Sequence, residues 1–184
     1  MAKPSQVIIL VEDNRHQQLI LRYLRRVGLE LHAMRFVPSP SGAGSGEQWV
    51  REQFAQEVAA YRSRRAHAET KLIVVVDADT HSLQERLAQL DRTLQDAGVP
   101  ALDANTDQIA RLIPKRNVET WILCLNQVQV QEQTDYKRTN QAWPALIRTA
   151  AVTLFDWTRP NALVPASCVN SLQHGIRELS RLDF

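Results

Sequence analysis

No apolar run in the 184-residue chain approaches the ~20 residues that span a bilayer. The first residues, MAKPSQV, lack the apolar centre of a signal peptide, so neither a membrane span nor export is expected. Cysteine is scarce: Cys124 and Cys168 sit in apolar stretches without C-x-x-C spacing, which argues against a zinc site or a disulfide framework. Buried free thiols in a reducing cytoplasm are the expectation. There is no internal repeat, and the single Gly/Ser-rich segment is Ser39 to Trp49. The excess of one charge sign is small, +2, although a pI near 8.7 and many arginines leave room for local basic patches. Nucleic acid is therefore permitted as a partner, not demanded. Trp49, Trp121, Trp143 and Trp157 are scattered without an aromatic platform motif and are read as packing residues.

Hydrophobic residues at 44% and charged residues at 23% are globular values, and the length suits one compact domain. Val7 to Val11 is a continuous apolar run, the pattern of a strand buried on both faces of a parallel sheet. Leu19, Ile20, Tyr23, Leu24 and Val27 then recur at helical spacing and stop at Gly28. Leu29 to Pro38 alternates as a second strand, and a long helix is expected from about Glu47 to Arg65. Lys71 to Asp79, KLIVVVDAD, is the strongest strand, followed by a helix with Leu83, Leu87, Leu90 and Leu94 on one stripe and Gly98 at its end. QIARLIP reads as a fourth strand stopped by Pro114, and NVETWILCL as a helix capped by Asn117. Alternation of strand and helix predicts a doubly wound, Rossmann-like α/β core over residues 1–125. Residues 126–184 are expected to form a helical extension packed on that core, with NSLQHGIRELSRL its clearest helix.

Ligands of open parallel sheets bind beyond the carboxyl ends of the strands, and two acidic pairs fall there: Glu12 with Asp13, and Asp77 with Asp79. Extended backbone through DAD turns both carboxylates to one side. Converging carboxylates repel unless a cation neutralises them, and oxygen ligands without a His/Cys cluster suit Mg²⁺, Mn²⁺ or Ca²⁺ rather than zinc. Each pair has a simpler explanation in capping the helix that follows. Both pairs together, after the two strongest strands, favour the metal.

The sequence ILVE before a helix, followed by VVVDAD, resembles the Toprim domain of topoisomerases, primases and OLD-type nucleases. The resemblance implies a Toprim/Rossmann-like fold with metal or catalytic roles for Glu12, Asp77 and Asp79. IPKRNVETWIL further resembles a segment of small Toprim-like proteins of prokaryotic defence loci, which implies Glu119 as a fourth acidic site residue; the alternative is an acid favoured in the first turn of its helix by the dipole alone. The family pattern often has another acid two positions after its D-x-D; this chain has His81, either a general acid or base or a loop residue without chemistry. Lys115 and Arg116 follow the fourth strand at the same sheet edge, where cations can neutralise a scissile or flanking phosphate. The expected activity is a Mg²⁺-dependent (or Mn²⁺-dependent) nuclease effector of anti-phage defence or a toxin system, acting on DNA or RNA.

Two alternatives stand beside it. One is a non-catalytic Toprim-shaped partner of a companion ATPase; whether like subunits assemble is left open. The other is a receiver-like phospho-switch, because ILVEDN followed by LILRYLRRVG resembles the start of a response-regulator receiver domain. That fold lacks a place for the long helix ending at Arg65. Gly42, Gly44 and Gly46 precede a helix and could touch substrate phosphate, but match no nucleotide-binding fingerprint. Two helix clusters, Arg22, Arg25 and Arg26, and Arg62, Arg64, Arg65 and Lys71, are read as solvated faces. Tyr136, Lys137 and Arg138 either approach the site or form a surface loop.

Overall fold

The computed structural model of the chain describes residues 4–39 and 45–184. Its centre is a sheet of four strands, β1 (Gln6–Val11), β2 (Met34–Pro38), β3 (Thr70–Val75) and β4 (Ile109–Leu112), all parallel in the order β2-β1-β3-β4. Among the described residues six α-helices surround it: α1 (Asn14–Val27), α2 (Gly46–Arg65), α3 (Leu83–Asp96), α4 (Val118–Leu125), α5 (Trp143–Trp157) and α6 (Asn170–Arg181). This is the expected α/β architecture, consistent with a Rossmann/Toprim-like fold. No helix among the described residues is long and apolar enough to cross a membrane.

The period of two along the strands decides which helices cover which face. Val7, Ile9, Val11, Ile73, Val75, Ala110 and Leu112 point into one apolar cluster with residues of α1, α4, α5 and α6. Ile8, Leu10, Leu72, Val74 and Ile109 point into the other, against α2 and α3. Both faces are therefore covered, which is why the central strands carry unbroken apolar runs.

Local chemistry sets the element ends. Gly28 closes α1 with φ 95, a left-handed conformation that costs glycine nothing. The second strand starts at Met34 rather than Leu29, because after Gly28 the chain makes a short 3-10 turn at Leu31–Ala33. Its alternation begins only where β1 offers a partner, Val7 opposite Met34. Ser82 caps α3 reciprocally with Glu85. Asn117 occupies the cap position of α4 without making a cap bond; its Nδ2 donates instead to Asp135 Oδ1 at 2.8 Å, tying the segment before α5 to the sheet edge. Cys124 and Cys168 are buried and free, as expected.

The C-terminal helices are locked by one close approach. Trp121, buried on α4, donates its Nε1–H to Ser171 Oγ at 2.8 Å, and its ring lies against Gly175 of α6. A Cβ at Gly175 would stand 2.9 Å from Trp121 Cζ3, closer than packed atoms tolerate. Gly175→Ala is expected to cost about 1–3 kcal/mol by overpacking. The urea midpoint measures it, and a smaller ring in Trp121→Phe/Gly175→Ala should return part of the loss. An unchanged midpoint for Gly175→Ala would contradict this packing.

Candidate functional site

Strand β1 ends at Val11, level with Val75 of β3, so Glu12 and Asp77 emerge side by side at the carboxyl edge of the sheet. The backbone N–H of Asp77 donates to Glu12 Oε2 at 3.0 Å. Behind Glu12 stands the first residue of α2: a Cβ on Gly46 would lie 2.7 Å from both Glu12 Cγ and Glu12 O, so only glycine lets α2 approach this closely. Gly46 thus backs Glu12, while Gly42 and Gly44 lie outside the described residues.

Asp13 is the N-cap of α1, accepting from the N–H groups of Arg15 at 2.8 Å and His16 at 3.1 Å. The same Oδ1 accepts from His16 Nδ1 at 2.9 Å, and His16 Nε2 lies 2.9 Å from Asp77 Oδ1. His16 and Asp77 are both buried. Burial disfavours an imidazolium, yet the Asp77 and Asp13 carboxylates outweigh it and hold His16 well above its ordinary pKa. Protonated, it donates to both acids. Burial also works upward on Asp13, but the His16 hydrogen bond and charge keep that carboxyl well below the usual range. Asp77 is raised by burial, with His16 opposing. Glu12 is pushed up to about 7, first by burial and then by the neighbouring Asp77 charge.

One ligand atom each from Glu12, His16 and Asp77 lies within 4.8 Å of the others. Oxygen and imidazole donors bind first-row divalent cations at about 2.0–2.3 Å, so a set this close can share one ion. The donor set, two carboxylates and an imidazole, suits Mn²⁺ at least as well as Mg²⁺. Asp13 would then be the partner that orients the ligating imidazole through its other nitrogen.

Asp79 does not join this cluster. The strand-like alternation through DAD fails because Asp79 takes φ 54, a left-handed conformation, which turns its carboxylate outward. There it is half exposed, 3.8 Å from the guanidinium of Arg86. Arg86, buried, also pairs with Glu47 and donates to Ala78 O at 3.3 Å, so it clamps the loop after β3 to α2 and α3. Lys115 lies at the expected edge, but its Nζ donates to the backbone carbonyl of His81, bracing the same loop. Arg116 is half-buried nearby, with no ion pair among the described residues.

The cations that reach the acids come from elsewhere. Lys137 Nζ lies 3.7 Å from Asp13 Oδ2, and although burial opposes its charge, Asp77, Asp13, Glu12 and Glu119 hold its pKa above the ordinary value. Arg15 pairs with the buried Glu119 of α4, donates to Lys137 O at 3.2 Å and lies over the Trp143 ring at 4.9 Å. Glu119 thus anchors Arg15, and its Oε2 has no hydrogen-bond partner among the described residues. The segment containing Tyr136 to Arg138 is therefore brought to the site, at least through Lys137. His16 carried a usable sequence signal, since it stands three residues after the Asp13 cap, where a first-turn side chain can reach back to the cap residue. For Lys137 the sequence left site and surface loop both open, because only the folded chain places it there.

The buried cluster makes stability depend on pH. Glu12, Asp77 and His16 all have folded pKa values above their unfolded ones, so each contributes stability that is full at low pH and lost as pH rises through the folded value. For Glu12 that loss runs from about 4.5 toward 7. In the presence of EDTA, the Glu12 share of the unfolding free energy from urea titration should fall by about 2 kcal/mol between pH 5 and 8. A Glu12→Gln variant should lose that share and keep the decline that His16 adds above pH 6.5; an equal slope in the variant would rule out Glu12 as a source.

Comparison with protein families, with curated proteins and with solved structures finds no match to this chain.

Proposed function

We propose that the chain is a divalent-metal-dependent phosphodiester-processing enzyme, a nuclease effector with a Toprim-like core. The observation that carries this reading is the meeting of Glu12, His16 and Asp77 at the carboxyl edge of a parallel sheet, where such folds place their ligands. Glu12, His16 Nε2 and Asp77 would hold one Mn²⁺ or Mg²⁺. When bound, the ion supplies Lewis acidity toward a phosphoryl oxygen and lowers the pKa of bound water. Asp13 fixes the imidazole. Lys137 and Arg15 present positive charge beside the acids, where a phosphate would otherwise be repelled. Asp79, facing outward after β3 and 3.8 Å from the Arg86 guanidinium, would have to leave that partner to contact a second ion or substrate-bound water. Lys115 and Arg116 contribute by holding the loop after β3 and by adding charge at this edge. The anti-phage or toxin setting, and action on DNA or RNA, follow from the Toprim resemblance.

One observation favours a second reading, the non-catalytic partner of a companion ATPase. The chain Asp13–His16–Asp77 is closed by its own hydrogen bonds, so a protonated His16 already neutralises part of the acid cluster. Metal titration separates the two. After EDTA treatment, saturating Mn²⁺ or Mg²⁺ should raise the melting temperature by several degrees, the stabilisation expected of an ion bound about a hundredfold above its Kd. The same ions should support cleavage of at least one of single-stranded DNA, duplex DNA or RNA. If neither response occurs, the enzyme reading fails and the partner reading stands.

A further inference from the structure

Helices α1 and α5 run side by side in the same direction. Arg15 near the start of α1 stacks over Trp143 at the start of α5, and Arg26 near the end of α1 stacks over Phe155 near the end of α5, 6.0 Å from its centroid. Between them lies a groove of about 450 Å³ lined by Arg22, Arg25, Arg26 and Arg148, with Ala151, Val152 and Phe155 as its apolar floor. No carboxylate lines it, and among the described residues none of the four arginines makes an ion pair. Arg25 and Arg26 have a local reason to be basic, since they lie in the last turn of α1 and oppose the helix dipole. Arg22 and Arg148 have none. Four guanidinium groups gathered without an anion repel one another, in a chain whose net charge is only +2. Arg15, Arg22 and Arg26 are seven and eleven residues apart along α1, one helical face, so the basic line runs about 16 Å from the acid cluster into the groove.

We infer that the α1/α5 groove is a docking surface for the phosphodiester backbone of single-stranded nucleic acid, which it leads to or from the Glu12–His16–Asp77 edge. Guanidinium groups suit phosphate because they donate in a planar fork. A half-buried aromatic ring flanked by arginines offers a base a surface for stacking without sequence preference. The inference adds a binding surface to the phosphodiesterase reading, but binding is testable with cleavage switched off.

The experiment is fluorescence anisotropy in EDTA with a fluorescein-labelled single strand, DNA or RNA, about 20 nucleotides long. Arg22→Glu/Arg148→Glu should weaken binding at least tenfold against wild type, with Arg22→Gln/Arg148→Gln as the milder pair should the charge reversal unfold the protein. In the Gln pair, losing two phosphate contacts should lower the magnitude of the log K against log salt slope by about 1.4 between about 50 and 200 mM salt. Arg92→Glu/Arg177→Glu, exposed positions on α3 and α6, gives the same net charge and should bind like wild type. Equal losses in both Glu pairs, no binding by wild type, or undiminished binding by the groove variants would each overturn the inference. So would binding to phosphatidylserine vesicles without oligonucleotide binding, which would make the groove a lipid-facing surface. Groove-dependent binding without cleavage under any metal would keep this inference and reject the enzyme reading; cleavage that ignores the groove variants, together with unchanged binding, would do the reverse.

Discussion

Asp77→Asn should abolish the metal-induced rise in melting temperature and lower metal-dependent cleavage by about a thousandfold, with the fold intact. Asparagine keeps the shape of the side chain, so the buried position next to β3 stays filled. It removes the charge that holds a proton on His16 and adds to the effect of burial on Glu12, and with it the anionic ligand that a cation needs. His16 then faces an amide and, with one counter-charge fewer, falls back toward its ordinary pKa, so the EDTA-state pH slope should shrink in the same variant. Asp13→Asn tests the orienting role separately: the ligand set survives, but the imidazole loses its anionic partner, and metal affinity should fall by about 10–100-fold. Asp79→Asn, at a half-exposed side chain outside the cluster, should leave the thermal shift nearly unchanged. Wild-type cleavage by Asp77→Asn would sink the site as drawn. A full loss of thermal shift in Asp79→Asn would mean that the loop after β3 rearranges to bring that carboxylate in.

The second large effect concerns stability, at the opposite end of the sheet. Asp107 precedes β4, is 2% exposed, and accepts from Arg62 at 2.7 Å, Arg65 at 2.6 Å and the backbone N–H of Asp103 at 3.0 Å. Burial pushes its carboxyl upward, but the Arg62 hydrogen bond and its other partners win and hold it below the usual range. Arg62 also donates to Pro100 O and Ala101 O, both at 2.8 Å, so one carboxylate organises α2, the turn after α3 and the start of β4. Asp107→Ala leaves two guanidinium groups without their anion and should cost about 3–5 kcal/mol. For a chain of this length that corresponds to a fall of about 10 °C in melting temperature. The metal response should persist below the new midpoint, because Glu12, His16 and Asp77 are untouched. Replacing the triad together, Asp107→Leu/Arg62→Met/Arg65→Met, should recover much of the loss by removing the unpaired charges. A cost under about 1 kcal/mol for Asp107→Ala would show that solvent already screens the pair.

These two acids also show how far composition and pattern reach. Asp107 and Asp77 are both aspartates next to strands, and besides the D-x-D pairing with Asp79 the sequence separates them because Asp77 follows the carboxyl end of its strand while Asp107 precedes the amino end of its own. Position relative to a parallel strand is legible, since strand direction follows from chain order once every crossover is a helix. Glu12 and Asp77 were accessible by that reasoning. Asp79 was placed with them on the premise of extended backbone, which its left-handed φ defeats. Lys115 and Arg116 reach the right edge, yet the free end of Lys115 is spent on a carbonyl of the loop it braces. The basic line along Arg22, Arg25 and Arg26 reads in sequence as a solvated helix face; Arg148, over 120 residues away, turns it into a groove only when α5 packs on α1.

The sequence by itself determined the parallel sheet, the two-sided core and the edge at which acids gather, because each follows from short-range rules: side-chain period, helix stops, strand order. Tertiary structure alone decided which groups meet there. Burial turns His16 from one helix residue among many into the bridge between Asp13 and Asp77, and packing of residues 126–184 onto α1 and α4 brings Lys137 and Arg15 to the acids. Charges separated by sixty to more than a hundred residues interact strongly only where the fold removes the water between them, and no local pattern records that.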